Sequence, residues 1–382
     1  MRFTHIRLRN FRNHADTFLD LGRVTNVLVG QNGEGKTNIL EAVSYLCLTK
    51  SFYAGSDSVV VSFGKEKFEV EGSTASDAGI ETTIQIAYSQ TSTEKVYAVN
   101  KRRVEPLSSA IGRFPIVILS PEHAPVTAGA PSDRRKFVDL VISQSSRPYF
   151  EDLLEYRRVL KHRNRVLLDA RLTKSGAQLL LEPWDEQLIR LGARLTEKRR
   201  RFVDEFQSFV ASSYRQITEG EEPSIEYAPG VELGEARSLA EVEESLRRGL
   251  MSRRREETQL GTTLVGPHRD EFVLKIGGLD LRKFASQGQH KTFLIALKVG
   301  EFFYLKERRG ETPAMLMDDV FGELDEQRSI RVLECFETLG QTFITATQSH
   351  IFDSGVVFGE QNRKFLVTNG SVVYETVKTE AN

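Results

Sequence analysis

Gly30-Gln31-Asn32-Gly33-Glu34-Gly35-Lys36-Thr37 carries the clearest chemistry in the chain. It fits the pattern G-x-x-x-x-G-K-[ST]. Its glycines let the backbone curl so that successive N–H groups converge on phosphate oxygens. Lys36 brings a positive charge to the β- and γ-phosphates, and Thr37 offers a hydroxyl to Mg2+. The helix that begins here adds the positive end of its dipole. Gly30, Asn32, Gly33, Gly35, Lys36, Thr37 and Asn38 are the candidate ATP-binding residues. Met315-Leu316-Met317-Asp318-Asp319 is an apolar run that ends in two carboxylates. In phosphoryl transfer such a pair holds Mg2+ and polarises the attacking water. Asp318 is assigned to the metal, with Thr37, and Asp319 to the water; with Lys36 they form the candidate catalytic set. Ser286-Gln287-Gly288-Gln289 offers a hydroxyl, bare backbone and a helix start, which suits either an anion or a plain N-cap. One loop already serves the phosphates, so a second anion device makes most sense on a nucleotide held by another subunit.

These residues need particular elements around them. Val24-Thr25-Asn26-Val27-Leu28-Val29 reads as a strand buried on both faces, stopping at Gly30. A helix from Thr37 to Leu48 should follow, with Ile39, Leu40, Val43, Leu46 and Cys47 on its apolar stripe. Strand texture spans residues 58–61, 68–70, 83–88, 96–99 and 115–119, with Asn100-Lys101 as a turn. From Ser132 helix formers dominate. A Pro/Gly interlude at 220–234 breaks them, and a helix from Leu239 to Thr258 closes the stretch. Strand 272–276 with a Gly277-Gly278 turn, helix 289–307, strand 314–317, helix 325–338 and strand 341–345 then alternate. Alternation of this kind means α/β with a parallel sheet. The metal-carboxylate strand must lie beside the P-loop strand in one sheet, although Lys36 and Asp318 stand at opposite ends of the chain. The chain must therefore leave the nucleotide domain and return. Residues 1–131 and 259–382 are assigned to the nucleotide head, and 132–258 to a helical insertion.

The composition excludes several classes. The 382 residues carry 52 basic and 53 acidic side chains, a net charge of −1, so no polycationic coat is present. Two cysteines, Cys47 and Cys335, rule out a disulfide scaffold and a cysteine-rich zinc site. No apolar run is long enough for a transmembrane helix. Arg2, Arg7, Arg9 and Arg12 interrupt the N-terminal apolar residues and leave no hydrophobic core for a signal peptide, so none is expected. The expected location is cytoplasmic, with no membrane partner.

The constellation resembles the ABC-type ATPase heads of the SMC group, and within it the RecF family of bacterial recombination and replication-repair proteins. The resemblance covers nearly the whole chain. It rests on the P-loop, the Ser-x-Gly-Gln signature, Asp318-Asp319 followed by Glu323-Leu324-Asp325, and the interrupting arm. It rests also on Asn10-Phe11-Arg12-Asn13, Ser120-Pro121-Glu122, Gly129 through Asp139, Leu160-Lys161-His162-Arg163-Asn164, Pro183 through Leu188, and Gly266-Pro267-His268-Arg269-Asp270. Tyr53 stands where the family often has Arg. No His directly follows strand 343–345, where transporter-type relatives place a γ-phosphate sensor; Thr345 or Thr347 substitutes, with His350 too far along. Asp319 stands where transporters use Glu and is about 1.5 Å shorter.

The resemblance implies an ATPase head with an inserted arm and a C2 homodimer that closes around two ATP molecules. Each nucleotide would touch Lys36 and Thr37 of one copy and Ser286, Gly288 and Gln289 of the other. Arg12 is carried over as an extra cation at the phosphates, and Glu323-Leu324-Asp325 as a segment crossing the interface. It implies slow, DNA-stimulated ATP hydrolysis, recombinational repair at single-strand gaps or stalled forks, and RecO and RecR as partners. DNA, duplex or gapped, would be met through its backbone by some of five basic clusters: 101–103, 134–136, 161–165, 198–201 and 253–255. An SMC-like structural tether and a transporter nucleotide-binding subunit are the alternatives.

Overall fold

The computed structural model describes residues 1–173, 178–218, 220–320, 331, 339–347 and 361–374. Two compact units divide the chain. The first holds 1–124, 212–219 and 291–382; the second holds 125–211 and 220–290. The sequence placed the breaks at 131/132 and 258/259.

In the first unit, β1 (Arg2–Phe11), β2 (His14–Asp20), β4 (Lys67–Ala75), β5 (Glu81–Ser89), β6 (Lys95–Val99) and β7 (Arg102–Arg103) form an antiparallel sheet in the order β2-β1-β4-β5-β6-β7. Its strands alternate buried and open residues, as a sheet covered on one face should. The second sheet holds β3 (Thr25–Val29), β8 (Ile116–Leu119), β12 (Ala314–Met317), β13 (Thr342–Ala346), β14 (Arg363–Thr368) and β15 (Ser371–Tyr374), in the order β15-β14-β3-β13-β12-β8. All its pairings are parallel except β14 with β15. β8, β12 and β13 are buried at every position, the mark of strands covered on both faces. Helix α1 (Lys36–Leu48) is buried from Ile39 to Leu48 on all sides, because it packs against strands of both sheets. Edge-to-face contacts among Phe11, Tyr45 and Phe68, with centroids 5.2–5.7 Å apart, join it to the antiparallel sheet.

Two expectations need correction here. The metal-carboxylate strand β12 shares a sheet with the P-loop strand β3 but is not its neighbour, because β13 pairs with both. Residues 57–60 form a 3-10 turn, not a strand; only Val61 bridges to Phe11, and Val59 is exposed. Asn100 and Lys101 do form the β6–β7 turn, both at positive φ. The expected helix 325–338 and Glu323-Leu324-Asp325 lie outside the described residues.

The second unit contains α2 (Pro125–Ala128), α3 (Pro131–Ser145), α4 (Arg147–Thr173), α6 (Leu239–Leu260), α7 (Leu281–Phe284) and most of α5 (Gln178–Ile217). β9 (Pro223–Ala228), β10 (Glu271–Ile276) and β11 (Leu279–Asp280) form its antiparallel sheet. This sheet draws 259–290 into the second unit: β10 pairs with β9, and β9 lies in the interlude read as a break. α8 (Gln287–Arg309) starts in this unit and continues into the first. No helix among the described residues is long and apolar enough to cross a membrane.

Candidate nucleotide site

Gly30 ends β3 where β14 passes: a Cβ there would lie 2.4 Å from the Val367 carbonyl oxygen, so only glycine fits. The loop then turns through Gly33 and Gly35, at φ 86° and 111°, and enters α1. No side chain caps α1 at Gly35, and its first turn holds no carboxylate. Its positive end is left for an anion.

Asn32, Gly33, Gly35, Lys36, Thr37, Asn38, Pro121, Asp318, Asp319 and Thr345 line one cavity of about 230 Å³. The predicted loop residues other than Gly30, and both carboxylates, thus converge, from the loop into α1, the end of β12, β13 and the segment after β8. Lys36 is buried, and its Nζ donates to the carbonyls of Gly30 (2.7 Å) and Gln31 (2.9 Å). Asp318 Oδ1 accepts from the Thr37 hydroxyl and the Thr345 hydroxyl, each at 2.8 Å. Thr345 Oγ1 in turn accepts the Asp319 N–H at 2.9 Å. Asp319 is exposed and sits at φ 49°, a strained position for a residue with a Cβ. Burial raises the Asp318 pKa, as does Asp319, while the Thr345 and Thr37 hydroxyls lower it. Burial lowers that of Lys36 against Asp319, Asp318 and Glu34. An anion beside Lys36 and a cation beside Asp318 would each relieve a desolvated charge. The donor set fits Mg2+: a hydroxyl and a carboxylate oxygen are hard ligands, and Mg2+ completes its shell with water and phosphate rather than a protein cage. Among the described residues no three or more His, Cys, Asp or Glu gather for a metal.

Other expected residues lie elsewhere. Arg12, at φ 53°, makes a two-pronged ion pair with Glu41, both bonds 2.8 Å, and does not line the cavity. The reason is Glu41: its carboxylate is fully buried on α1 and Arg12 supplies the counter-charge. Thr345 is buried and bonded to Asp318, whereas Thr347 is exposed; His350 lies outside the described residues. Ser286 and Gln289 belong to the second unit and cap α8 reciprocally. The Ser286 N–H donates to Gln289 Oε1 at 2.8 Å, and the Gln289 N–H to Ser286 Oγ at 3.3 Å. Ser286 is exposed and Gly288 half-buried. The sequence reading missed His14, whose ring meets the Gly35 carbonyl at 3.0 Å.

A family model described as the RecF/RecN/SMC N-terminal domain matches residues 2–364. The "DNA replication and repair protein RecF" of Salinibacter ruber is 39% identical over 352 residues, 91% of this chain and 85% of the relative. The chain belongs to the RecF family. A RecF of Chloroherpeton thalassium is likewise 39% identical, over 92% of this chain and 96% of the relative. A solved structure of the recombination mediator protein RecF-ATP in the RecFOR pathway has a TM-score of 0.89 at 32% identity, covering 98% of this chain and 97% of its own. An SMC head bound to the C-terminal winged-helix domain of ScpA has a TM-score of 0.56 at 13% identity, which is a likeness of fold.

Several stretches that carry the RecF resemblance do structural work in the second unit. Arg163 is fully buried and binds Asp185, Glu257 and Thr263 at 2.6–2.8 Å. His162 stacks on Trp184 with centroids 5.0 Å apart. Arg199, also buried, binds Asp139, Asp270 and the Pro267 carbonyl at 2.6 Å each. Arg134 pairs with Glu271, and Arg254 with Asp185. Four of the five basic clusters therefore lose a member to these ion pairs; in the fifth Arg103 pairs with Glu94 and Glu105, while Lys101 and Arg102 stay exposed.

Proposed function

We propose that this chain is a RecF-type ATPase of recombinational DNA repair, in which ATP closes two copies on DNA and slow hydrolysis releases them. The observation that carries the reading is the convergence of Lys36, Thr37, Asp318, Asp319 and Thr345 on one cavity. Lys36 would exchange its bonds to the loop carbonyls for phosphate oxygens. Thr37 and Asp318 would hold Mg2+, which when bound neutralises charge developing on the phosphates. Asp319 would orient the attacking water, and Thr345 keeps Asp318 and the Asp319 backbone in place. Ser286, Gly288 and Gln289 of a second copy would meet the γ-phosphate from the opposite side. ADP lacks that phosphate, so association becomes nucleotide-gated. DNA would be held through its backbone, in the cytoplasm, with RecO and RecR as further partners by kinship.

The test is sedimentation with ADP, with ATP, and with ATP plus duplex DNA. The mass should double with ATP and not with ADP, and Lys36→Met should stay at single mass in every condition. A mass indifferent to the nucleotide, or a Lys36→Met protein that pairs like the wild type, would overturn the reading.

A further inference from the structure

We infer that His14 is a positioning residue of the nucleotide site: from the start of β2 it fixes the Gly35 carbonyl, and through that peptide group it aims the Lys36 N–H at the phosphates. The inference rests on the phosphate-binding reading of the loop and deepens it. His14 is fully buried, with Nε2 3.0 Å from the Gly35 oxygen and Nδ1 3.0 Å from Thr17 Oγ1. A carbonyl can only accept, so Nε2 carries the proton. Thr17 in turn reaches the Gly370 carbonyl at 3.0 Å.

The geometry of the peptide group does the rest. The Gly35 carbonyl also accepts the Asn38 and Ile39 N–H groups, at 3.1 and 3.4 Å, as the first carbonyl of α1. A trans peptide is planar, so its C=O and N–H point in opposite directions. Fixing the carbonyl along the helix turns the Lys36 N–H outward from the helix start, where an anion is met. At φ 111° Gly35 has many alternative conformations, and an outside donor removes that freedom. Of the other bonds from neighbouring turns, Asn13 Nδ2 and the Gly370 N–H donate to the Glu34 carbonyl at 2.9 Å, and Asn13 Oδ1 accepts from the Asn38 side chain at 2.8 Å; His14 is the one that meets the Gly35 carbonyl. The fit is tight, since a Cβ on Gly35 would lie 2.6 Å from Asn13 Oδ1 and 2.9 Å from His14 Nε2.

The full-length chain is tested with mant-ADP as the probe, well below the melting temperature of each variant. His14→Leu removes the donor, His14→Gln keeps an N–H near Nε2, and His14→Asn keeps polarity without the reach. Losing one hydrogen bond to a phosphate oxygen should weaken mant-ADP about tenfold in the Leu and Asn variants. The Gln variant should recover most of that loss. Displacement by inorganic pyrophosphate should follow the same ranking, and displacement by adenosine should not. A merely structural histidine would lower the melting temperature and leave the affinity of the folded protein unchanged, and Gln would bind no better than Asn; either result overturns the inference. If His14→Leu does not fold, the Gln and Asn pair decides alone. A wild-type chain that fails to bind mant-ADP sinks the nucleotide site itself, a different outcome from wild-type binding that His14 variants leave untouched.

Discussion

Thr345 places one hydroxyl between the two carboxylate positions, donating to Asp318 and accepting from the Asp319 backbone. Residues that orient a metal ligand typically contribute about 10–100-fold to metal affinity or activity. Thr345→Val keeps the shape and removes the hydroxyl. It should raise the Mg2+ concentration needed for half-maximal ATP hydrolysis by about that factor, and leave metal-free mant-ADP binding near the wild-type value. A Mg2+ titration of turnover checks it. At this scale the sequence was legible where chemistry depends on consecutive residues: the loop from Gly30 to Thr37 and the Asp318-Asp319 pair need no partner to be recognised. It was not legible where a distant neighbour sets a side chain's role. Arg12 reads as a free cation until Glu41 is known to be buried one turn along α1. His14 carries no signal at all until the start of β2 folds over Gly35.

The helices and sheet of the second unit are joined by buried charge rather than by apolar contact alone. Arg199 ties α3, α5 and the 266–270 segment, and Arg163 ties α4, α5 and α6. Removing one partner of such a cluster strands the others, at a cost of about 3–5 kcal/mol. Arg199→Leu and Arg163→Leu should each lower stability by that amount in urea titrations. Arg163→Lys should recover little, because an ammonium cannot reproduce three donors in one plane. His268 adds an acid-sensitive step. Burial lowers its pKa to about 4, with its ring bonded to Tyr156 and the Thr263 carbonyl. An unfolded histidine takes up its proton near pH 6.5 and the folded one only near 4. Stability is therefore complete above pH 6.5 and falls as pH drops through that window, by on the order of 3 kcal/mol at about 1.4 kcal/mol per unit. Burial also lowers the pKa values of His14 and His123, so denaturant midpoints against pH should show a steeper slope in the wild type than in His268→Gln, the difference being the His268 share. The sequence showed the long helices here through their periodicity. It did not show β9, whose six mixed residues read as an interlude until β10 pairs with them. Nor did it separate buried arginines from solvated ones, since a run such as Lys198-Arg199-Arg200-Arg201 looks basic throughout and only Arg199 turns inward.

Over the whole molecule, the residues that line the nucleotide cavity all belong to the first unit, and the clusters around Arg163 and Arg199 belong to the second. Ligand binding stabilises what the ligand touches, by about 2.7 kcal/mol at a hundredfold excess over Kd. With excess ADP and Mg2+, amide exchange should slow in 12–17, 30–41, 318–320, 342–346 and 369–371, and stay unchanged in the helices around Arg163 and Arg199. Mass-spectrometric exchange with and without nucleotide checks this; equal slowing everywhere would mean that the two units respond as one. The distance between Lys36 and Asp318 led to the expectation that the chain doubles back, but gave no sign of the intervening β13, which brings Thr345 to the carboxylates. Glu34 and Gly35 are gripped by one hairpin near the start of the chain and another near its end, through His14, Asn13 and Gly370. A ribosome releases the first of these two hairpins long before the second. The growing polypeptide can therefore complete its grip on this loop only after residue 370 has left the exit tunnel, so a nascent chain stalled earlier should bind triphosphate weakly even though every loop residue has long been made.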